Sequence, residues 1–301
     1  MRTTVRAGGM VVAAAAVLAC IVVVVLAAGI LAPGDPRAIT GLPVHSPDAA
    51  HPLGTNEVGQ DLLAVWLHGG RTSLLVGSLA ALLSTAMSAS VGMLSVTWRP
   101  ARIPLLALTE VFLAIPGLMI LVLILVITGP GTGRLILALA LVGWPAFARI
   151  IRAQTLIAVR RDHVQAARAL GATDVRIAWT CLLPEIAPLL FTKFLLTVRW
   201  AMLMEAALGL MGLGDPGRPS WGSMLGGAFS YPLLFLGDAW RWWALPPALG
   251  IAVTTVALSA LTPGRATRAM ADTPAMSEKR EQRRQTVRAR LPFAVRDEYS
   301  R

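Results

Sequence analysis

Six long apolar stretches, separated by segments that hold most of the charge, set the layout of the chain; they cover residues 10–31, 72–96, 103–128, 135–151, 186–213 and 243–261. Each falls within or close to the roughly 17–25 residues a helix needs to cross the hydrocarbon layer of a bilayer. Lipid-facing backbone groups must be bonded within their own segment, so the stretches predict helices rather than strands. The third contains Pro104 and Pro116, and the fourth Pro145. The second carries Ala80, Ser84, Ser88 and Gly92, one small residue every four. That stripe predicts close packing against other helices of the same chain. The pattern as a whole predicts an all-α membrane protein with about six transmembrane helices.

Composition supports the same class. Of 301 residues, 55% are hydrophobic and 14% charged, where a soluble domain would carry about a quarter charged. The net charge of +11 would suggest nucleic acid in a soluble protein. Here the basic residues cluster at span ends and in the tail, so they predict topology signals and contacts with anionic lipid rather than nucleic acid. Arg2 and Arg6 precede the first span, which places the N-terminus in the cytoplasm. Alternation then brings Arg99, Arg102, Arg149, Arg152, Arg160, Arg161, Arg168, Arg176 and the basic tail to the same side. Only Arg37, Arg71, Arg134, Arg218 and Arg241 fall outside. The first apolar run is longer than the core of a cleaved signal and predicts a retained span. Cys20 and Cys181 form no CxxC, and neither a disulfide frame nor a zinc site is expected.

The expected organisation is a cytoplasmic N-terminus at 1–9, a first transmembrane helix at 10–32 and an extracytoplasmic segment at 33–70. A five-helix core follows at 71–263, and a basic cytoplasmic tail at 264–301. After Thr55 the outer segment predicts a short interfacial helix anchored by Trp66. A second outer loop, 214–241, holds DPGRPSWG.

Residues 160–185 carry the most distinctive pattern. Asp162 and Gln165 have the spacing of a helix cap and its reciprocal partner. Gly171 suits the left-handed residue that ends a helix, and Thr173 can cap the next. That second helix would place Val175, Ala178, Trp179 and Leu182 on one face. Pro184 would stop it, and Pro188 would shape the start of the fifth span. Two readings of this segment stand side by side: an amphipathic loop on the bilayer surface, and a docking element for a cytoplasmic partner.

The segment resembles the EAA loop of ABC importer permeases, whose pattern is E-A-A, three residues, G, nine residues, I-x-L-P. Gln165-Ala166-Ala167, Gly171 and Cys181-Leu182-Leu183-Pro184 fall at that spacing, with Gln165 where Glu is usual and Cys181 where Ile is usual. Other stretches resemble the dipeptide/oligopeptide/nickel branch of that family. They are LAPGDP at 31–36, HPLGTNEVGQDLLAVWLHGGRTSLLVG at 51–77, AIPGLMI at 114–120, ALALVGWPAFARIIRAQ at 138–154 and MEAALGLMGLGDPGRPSWGSML at 204–225. The resemblance covers about residues 11–264 and implies the type I importer permease architecture. It also implies import of peptides or similar small solutes, nickel among them. The implied partners are a second homologous permease, two cytoplasmic ATPase subunits and an extracytoplasmic binding protein. ATPase coupling would fall to Gln165, Ala166, Ala167, Gly171, Leu183 and Pro184. No GxxxxGK[ST] loop occurs, so no cofactor is expected on this chain and ATP would be bound by the partners.

The fifth span contains Lys193, Arg199 and Glu205. Intramembrane charges usually face a cavity or a partner. Lys193 is expected to snorkel to the inner surface. Arg199 and Glu205, six apart, are not an in-helix pair. They are candidates for pathway lining or inter-subunit contact. Glu110 is expected to be solvated at the interface. His45, His51 and His68 have no compact ligand spacing. The alternative function is an ion-gradient-driven secondary transporter, which would favour inverted repeats and buried carboxylates. A membrane enzyme finds no HExxH or GxSxG motif.

Overall fold

The computed structural model describes residues 2–262; the expected tail at 264–301 lies outside the described residues. The chain forms α1 (Arg2–Leu26), α2 (Ala28–Leu31), α3 (Leu62–Thr97), α4 (Arg99–Ala114), α5 (Gly117–Thr128), α6 (Thr132–Gly143) and α7 (Pro145–Ala158). It continues through α8 (Asp162–Ala169), α9 (Asp174–Ile177), a π-helical turn (Ala178–Leu182) and α10 (Leu183–Leu210). The last elements are α11 (Trp221–Ser230), α12 (Ala239–Trp243) and α13 (Leu245–Leu261).

All six predicted stretches are helical. Three helical runs, Leu62–Thr97, Asp174–Leu210 and Ala239–Leu261, are each long and apolar enough to cross a membrane. Two bent pairs raise the number to five, and α1 adds a shorter apolar stretch over Val11–Leu26. The third predicted span is not one helix. It breaks at Ile115–Pro116, where α4 and α5 meet at 89°. The residue before proline is pushed out of the helical region, and Ile115 sits at φ −101°, ψ 133°. The fourth span bends by 46° where Pro145 opens α7, because proline cannot continue the hydrogen-bond ladder of α6.

The long helix α3 is the axis of the bundle, with α10, α7, α6 and α11 packed along it. Its small-residue stripe does what the spacing predicts. Ala80, Ser84, Ser88 and Gly92 are buried, Ile151 of α7 lies over Gly92, and the Ser88 hydroxyl reaches the Trp144 carbonyl at 2.8 Å, at the α6–α7 bend. One apolar cluster joins α1, α3, α10, α11 and α13 around Trp221 and Met202. A second joins α3, α5, α6 and α10 around Leu121 and Leu139.

The separate interfacial helix expected after Thr55 is absent: α3 itself begins at Leu62, capped by the Asp61 carboxylate. Trp66 is no headgroup anchor but packs inward. Its ring stacks 5.8 Å from that of Trp221, and its indole N–H donates to the Pro246 carbonyl. The loop at 214–241 contains a helix, α11, with a Ser220–Ser223 capping box. It crosses α10 at backbone contact: a Cβ on Gly222 would lie 2.6 Å from the Ala206 Cα. Glycines at such crossings let two backbones approach more closely than side chains would allow.

Candidate functional site

The segment between α7 and α10 forms a helical elbow. Amides of Arg160 and Arg161 turn back onto Ile157 and Ala158, so the chain leaves α7 and starts α8 within three residues. The expected capping box is not formed. Arg161 occupies the cap position, Asp162 falls in the first turn, and the Gln165 side-chain Nε2 donates to the Val159 carbonyl at 2.7 Å instead. The tight turn brings the chain into the helix one residue early. Asp162 then favours the helix N-terminus by its charge rather than by a cap bond.

Gly171 ends α8 as its spacing predicts. At φ +84° it is left-handed, and its amide reaches the Arg168 carbonyl while that of Ala172 reaches Ala167, both at 3.0 Å. This pair of bonds is the Schellman arrangement. Thr173 caps α9 through the Arg176 amide. Arg168 and Asp174 form a 3.0 Å ion pair across the glycine. Arg161 pairs with Glu185 at 2.8 Å, closing the base of the elbow. Beneath the turn, Ala158, Val164, Ile177 and Leu182 form a small buried core of their own.

Pro184 does not stop the second helix. α9, the π-helical turn and α10 make one run, Asp174–Leu210. In the wider π turn the Leu183 N–H bonds back five residues to the Ala178 carbonyl, and the missing N–H of Pro184 falls where the ladder changes register to that of α10. The expected apolar face also divides: Leu182 is buried with Ile177, whereas Val175 and Trp179 are exposed. Of the residues singled out for coupling, Gln165, Ala166, Gly171 and Pro184 are exposed, and Ala167 and Leu183 are half-buried.

The charges of α10 separate. Lys193 does not snorkel. It is fully buried, with its ammonium 2.6 Å from the Ser84 hydroxyl and 5.6 Å from the Phe147 ring centre. Glu205 is 2% exposed and accepts from the Ser73 hydroxyl at 3.0 Å, so its carboxylate is satisfied inside this chain. Arg199 donates to Ser259 of α13 at 2.9 Å. Glu110 is not merely solvated but ion-paired with Arg149, joining α4 to α7. The three outer histidines have separate neighbours: His45 Nδ1 is 3.7 Å from Asp48, His51 Nδ1 is 3.7 Å from Asp61, and His68 Nε2 is 3.3 Å from the Ala32 carbonyl.

Sequence reasoning missed two of these contacts. Lys193 is invisible as a buried group until the Ser84 stripe is known to face it. Glu185 could have been found by asking what balances Arg160 and Arg161. At the opposite end of the bundle, Asp215 accepts from the Thr132 hydroxyl and amide at 2.6 and 2.8 Å and from the Gly217 amide at 2.7 Å. Partial burial works to raise the Asp215 pKa. The Thr132 and Gly217 hydrogen bonds, with Arg218 nearby, outweigh it and hold the carboxyl below the usual aspartate value. Beside it lies a cavity of about 250 Å³ lined by Arg37, Glu57, Gln60, Asp215 and Trp243.

Residues 73–266 match the binding-protein-dependent transport system inner membrane component family. A di/tripeptide transport system permease protein, DppC, of Pseudomonas aeruginosa is 37% identical over 215 residues, 70% of this chain and 69% of its own length. The dipeptide transport system permease protein DppC of Escherichia coli is 33% identical over 217 residues, 71% of each chain. Among solved structures, the inward-facing MetNI methionine ABC transporter has a chain that matches with a TM-score of 0.52 at 23% identity. The match covers 69% of this chain and 96% of that one, and it shows a shared fold.

Proposed function

The chain belongs to the binding-protein-dependent transport system inner membrane component family and is a multi-pass permease subunit of an ABC importer, and we propose that it forms half of a pathway for peptides or similarly small solutes. The names of its relatives, peptide permeases at 33–37% identity, support that cargo class. In this reading a second, homologous permease supplies the other half of the pathway. Two ATPase subunits bind and hydrolyse ATP on the cytoplasmic side, and an extracytoplasmic binding protein delivers the cargo. Both termini and the elbow lie in the cytoplasm, in accord with the arginine asymmetry. Residues 33–61 and α11 then face outward.

One observation carries the coupling role: the elbow is mechanically continuous with a membrane span. Because Pro184 is absorbed behind the π turn, α9 and α10 move as one run. At its other side, α8 is tied to α7 by a three-residue turn. Both α7 and α10 pack on α3. A partner that displaces the elbow therefore tilts two helices against the bundle axis at once, which is the rigid-body motion alternating access requires. Ala166 and Ala167 present small side chains beside the Gly171 turn, leaving room for close seating in a groove of the partner.

The test is proximity. In a background with Cys20→Ser and Cys181→Ala, Ala166→Cys should crosslink to the ATPase subunit of its complex when the two are co-expressed. Val58→Cys, at the opposite end, should not. Equal crosslinking from both positions, or none from Ala166→Cys in a complex that co-purifies, would remove the elbow from the coupling role.

A further inference from the structure

A groove of about 430 Å³ runs between the last turns of α3 and the start of α9, on the elbow's side of the bundle. Met93, Leu94, Trp98, Val175, Ala178 and Trp179 line it. Its size lies in the range of ligand pockets, and its two tryptophans are conspicuously open, Trp98 at 57% and Trp179 at 68%. Their level in the bundle matters. Trp98 directly follows α3, and Trp179 lies one helical turn before α10. Both stand where a span leaves the hydrocarbon, the layer in which tryptophan is enriched.

The charge around the groove is one-sided. Arg99 and Arg102 of α4 and Arg176 of α9 are exposed and, among the described residues, make no ion pair. The carboxylate on the wall, Asp174, is already taken by Arg168. An apolar slot whose lining residues Trp98 and Val175 are each followed in the chain by an exposed, unpaired arginine, Arg99 and Arg176, matches one class of ligand: an alkyl chain carrying a phosphate. Arginine binds phosphate through paired, charge-assisted hydrogen bonds, and basic residues at this level are drawn to anionic headgroups.

We propose that this groove is a binding site for one anionic phospholipid, with an acyl chain between Trp98 and Trp179 and the phosphate on Arg99 and Arg176. A neutral protein segment in the slot would leave the arginines unbalanced. The lipid would tie α9, and through it the elbow, to the surface of the bilayer. The inference rests on the membrane placement of the chain and is independent of the coupling role.

Native mass spectrometry of the purified full-length chain with its co-expressed partners tests it. The probes are phosphatidylglycerol and phosphatidylcholine of the same acyl composition. The wild type should retain phosphatidylglycerol preferentially. Arg99→Gln with Arg176→Gln should weaken that preference by about thirtyfold, the expected effect of two headgroup-level cations. Ala178→Trp, which fills the slot, should abolish retention of both lipids. Equal retention of the two lipids by the wild type, or unchanged retention by Ala178→Trp, would overturn the site. Should that variant fail to assemble, photocrosslinking of the wild type with a diazirine-bearing phosphatidylglycerol decides. Label on peptides spanning 90–98 or 174–182 supports the groove, and label confined to other peptides refutes it.

Discussion

Substitution at Gly171 separates backbone geometry from bulk. The residue sits at φ +84°, and a Cβ added there meets nothing within 4 Å. Any penalty for a side chain is therefore conformational, not steric. For an L-residue held left-handed that penalty is roughly 1–2 kcal/mol, with asparagine an exception because it tolerates the conformation. One to two kcal/mol corresponds to a factor of about 5–30 in the ratio of intact to opened elbow. The two 3.0 Å bonds that end α8 depend on this geometry, so the intact-to-opened ratio should fall by that factor. The assay is ATP-driven uptake by the reconstituted complex, read beside hydrogen exchange at the Ala172 amide. Gly171→Ala and Gly171→Leu should lower the protection of the Ala172 amide to similar degrees, about 5–30-fold, and both should slow transport while membrane insertion is spared. Gly171→Asn should stay near the wild type. An unimpaired Gly171→Ala, or a Gly171→Asn as poor as Gly171→Leu, would refute the argument.

Other sites yield further expectations. Ser84→Ala removes the hydroxyl that meets the buried Lys193 ammonium. It should lower the thermal midpoint in detergent by an amount equivalent to about 1–3 kcal/mol, whereas Lys193→Met should be neutral or stabilising because it removes the buried charge itself. Gly222→Ala forces a Cβ to 2.6 Å from the Ala206 backbone and should cost at least about 1–3 kcal/mol by overpacking, visible as reduced yield of monodisperse protein. Asp215 has a depressed pKa in the folded state. Its contribution to stability is present above the usual aspartate value of 3.8 and is lost as pH falls through the lower folded value. Thermal unfolding followed from pH 6 to pH 3 should therefore fall less steeply for Asp215→Asn than for the wild type, and parallel curves would sink the assignment.

What was legible in the sequence follows physical range. Span positions came from runs of apolar residues, and the Gly171 turn from a local conformational requirement that only a few residues meet. The α3 stripe was legible because a four-residue period is a property of one helix. The misses involve partners distant in the chain. Lys193 looked like a snorkelling cation because nothing in 186–213 reveals that Ser84 and Phe147 enclose it. Trp66 looked like an interfacial anchor until Trp221, 155 positions on, was seen stacked against it. Pro184 predicts a stop because a proline breaks an α-helical ladder. A preceding π turn removes that conflict, and no residue pattern here announces it. Pro116 did break its helix, since no such turn relieves it. Glu205 was recognised as an intramembrane acid, but its partner Ser73 lies on another helix.

The decisive question is whether transport by this chain is driven by ATP bound elsewhere. The measurement is uptake of a labelled tripeptide into proteoliposomes that contain this chain, its neighbouring permease and ATPase subunits, and the binding protein. The expected result is uptake that requires ATP and the binding protein, persists when proton and sodium gradients are collapsed, and is slowed by Gly171→Leu. Uptake that proceeds without ATP and disappears with the ion gradient would contradict it.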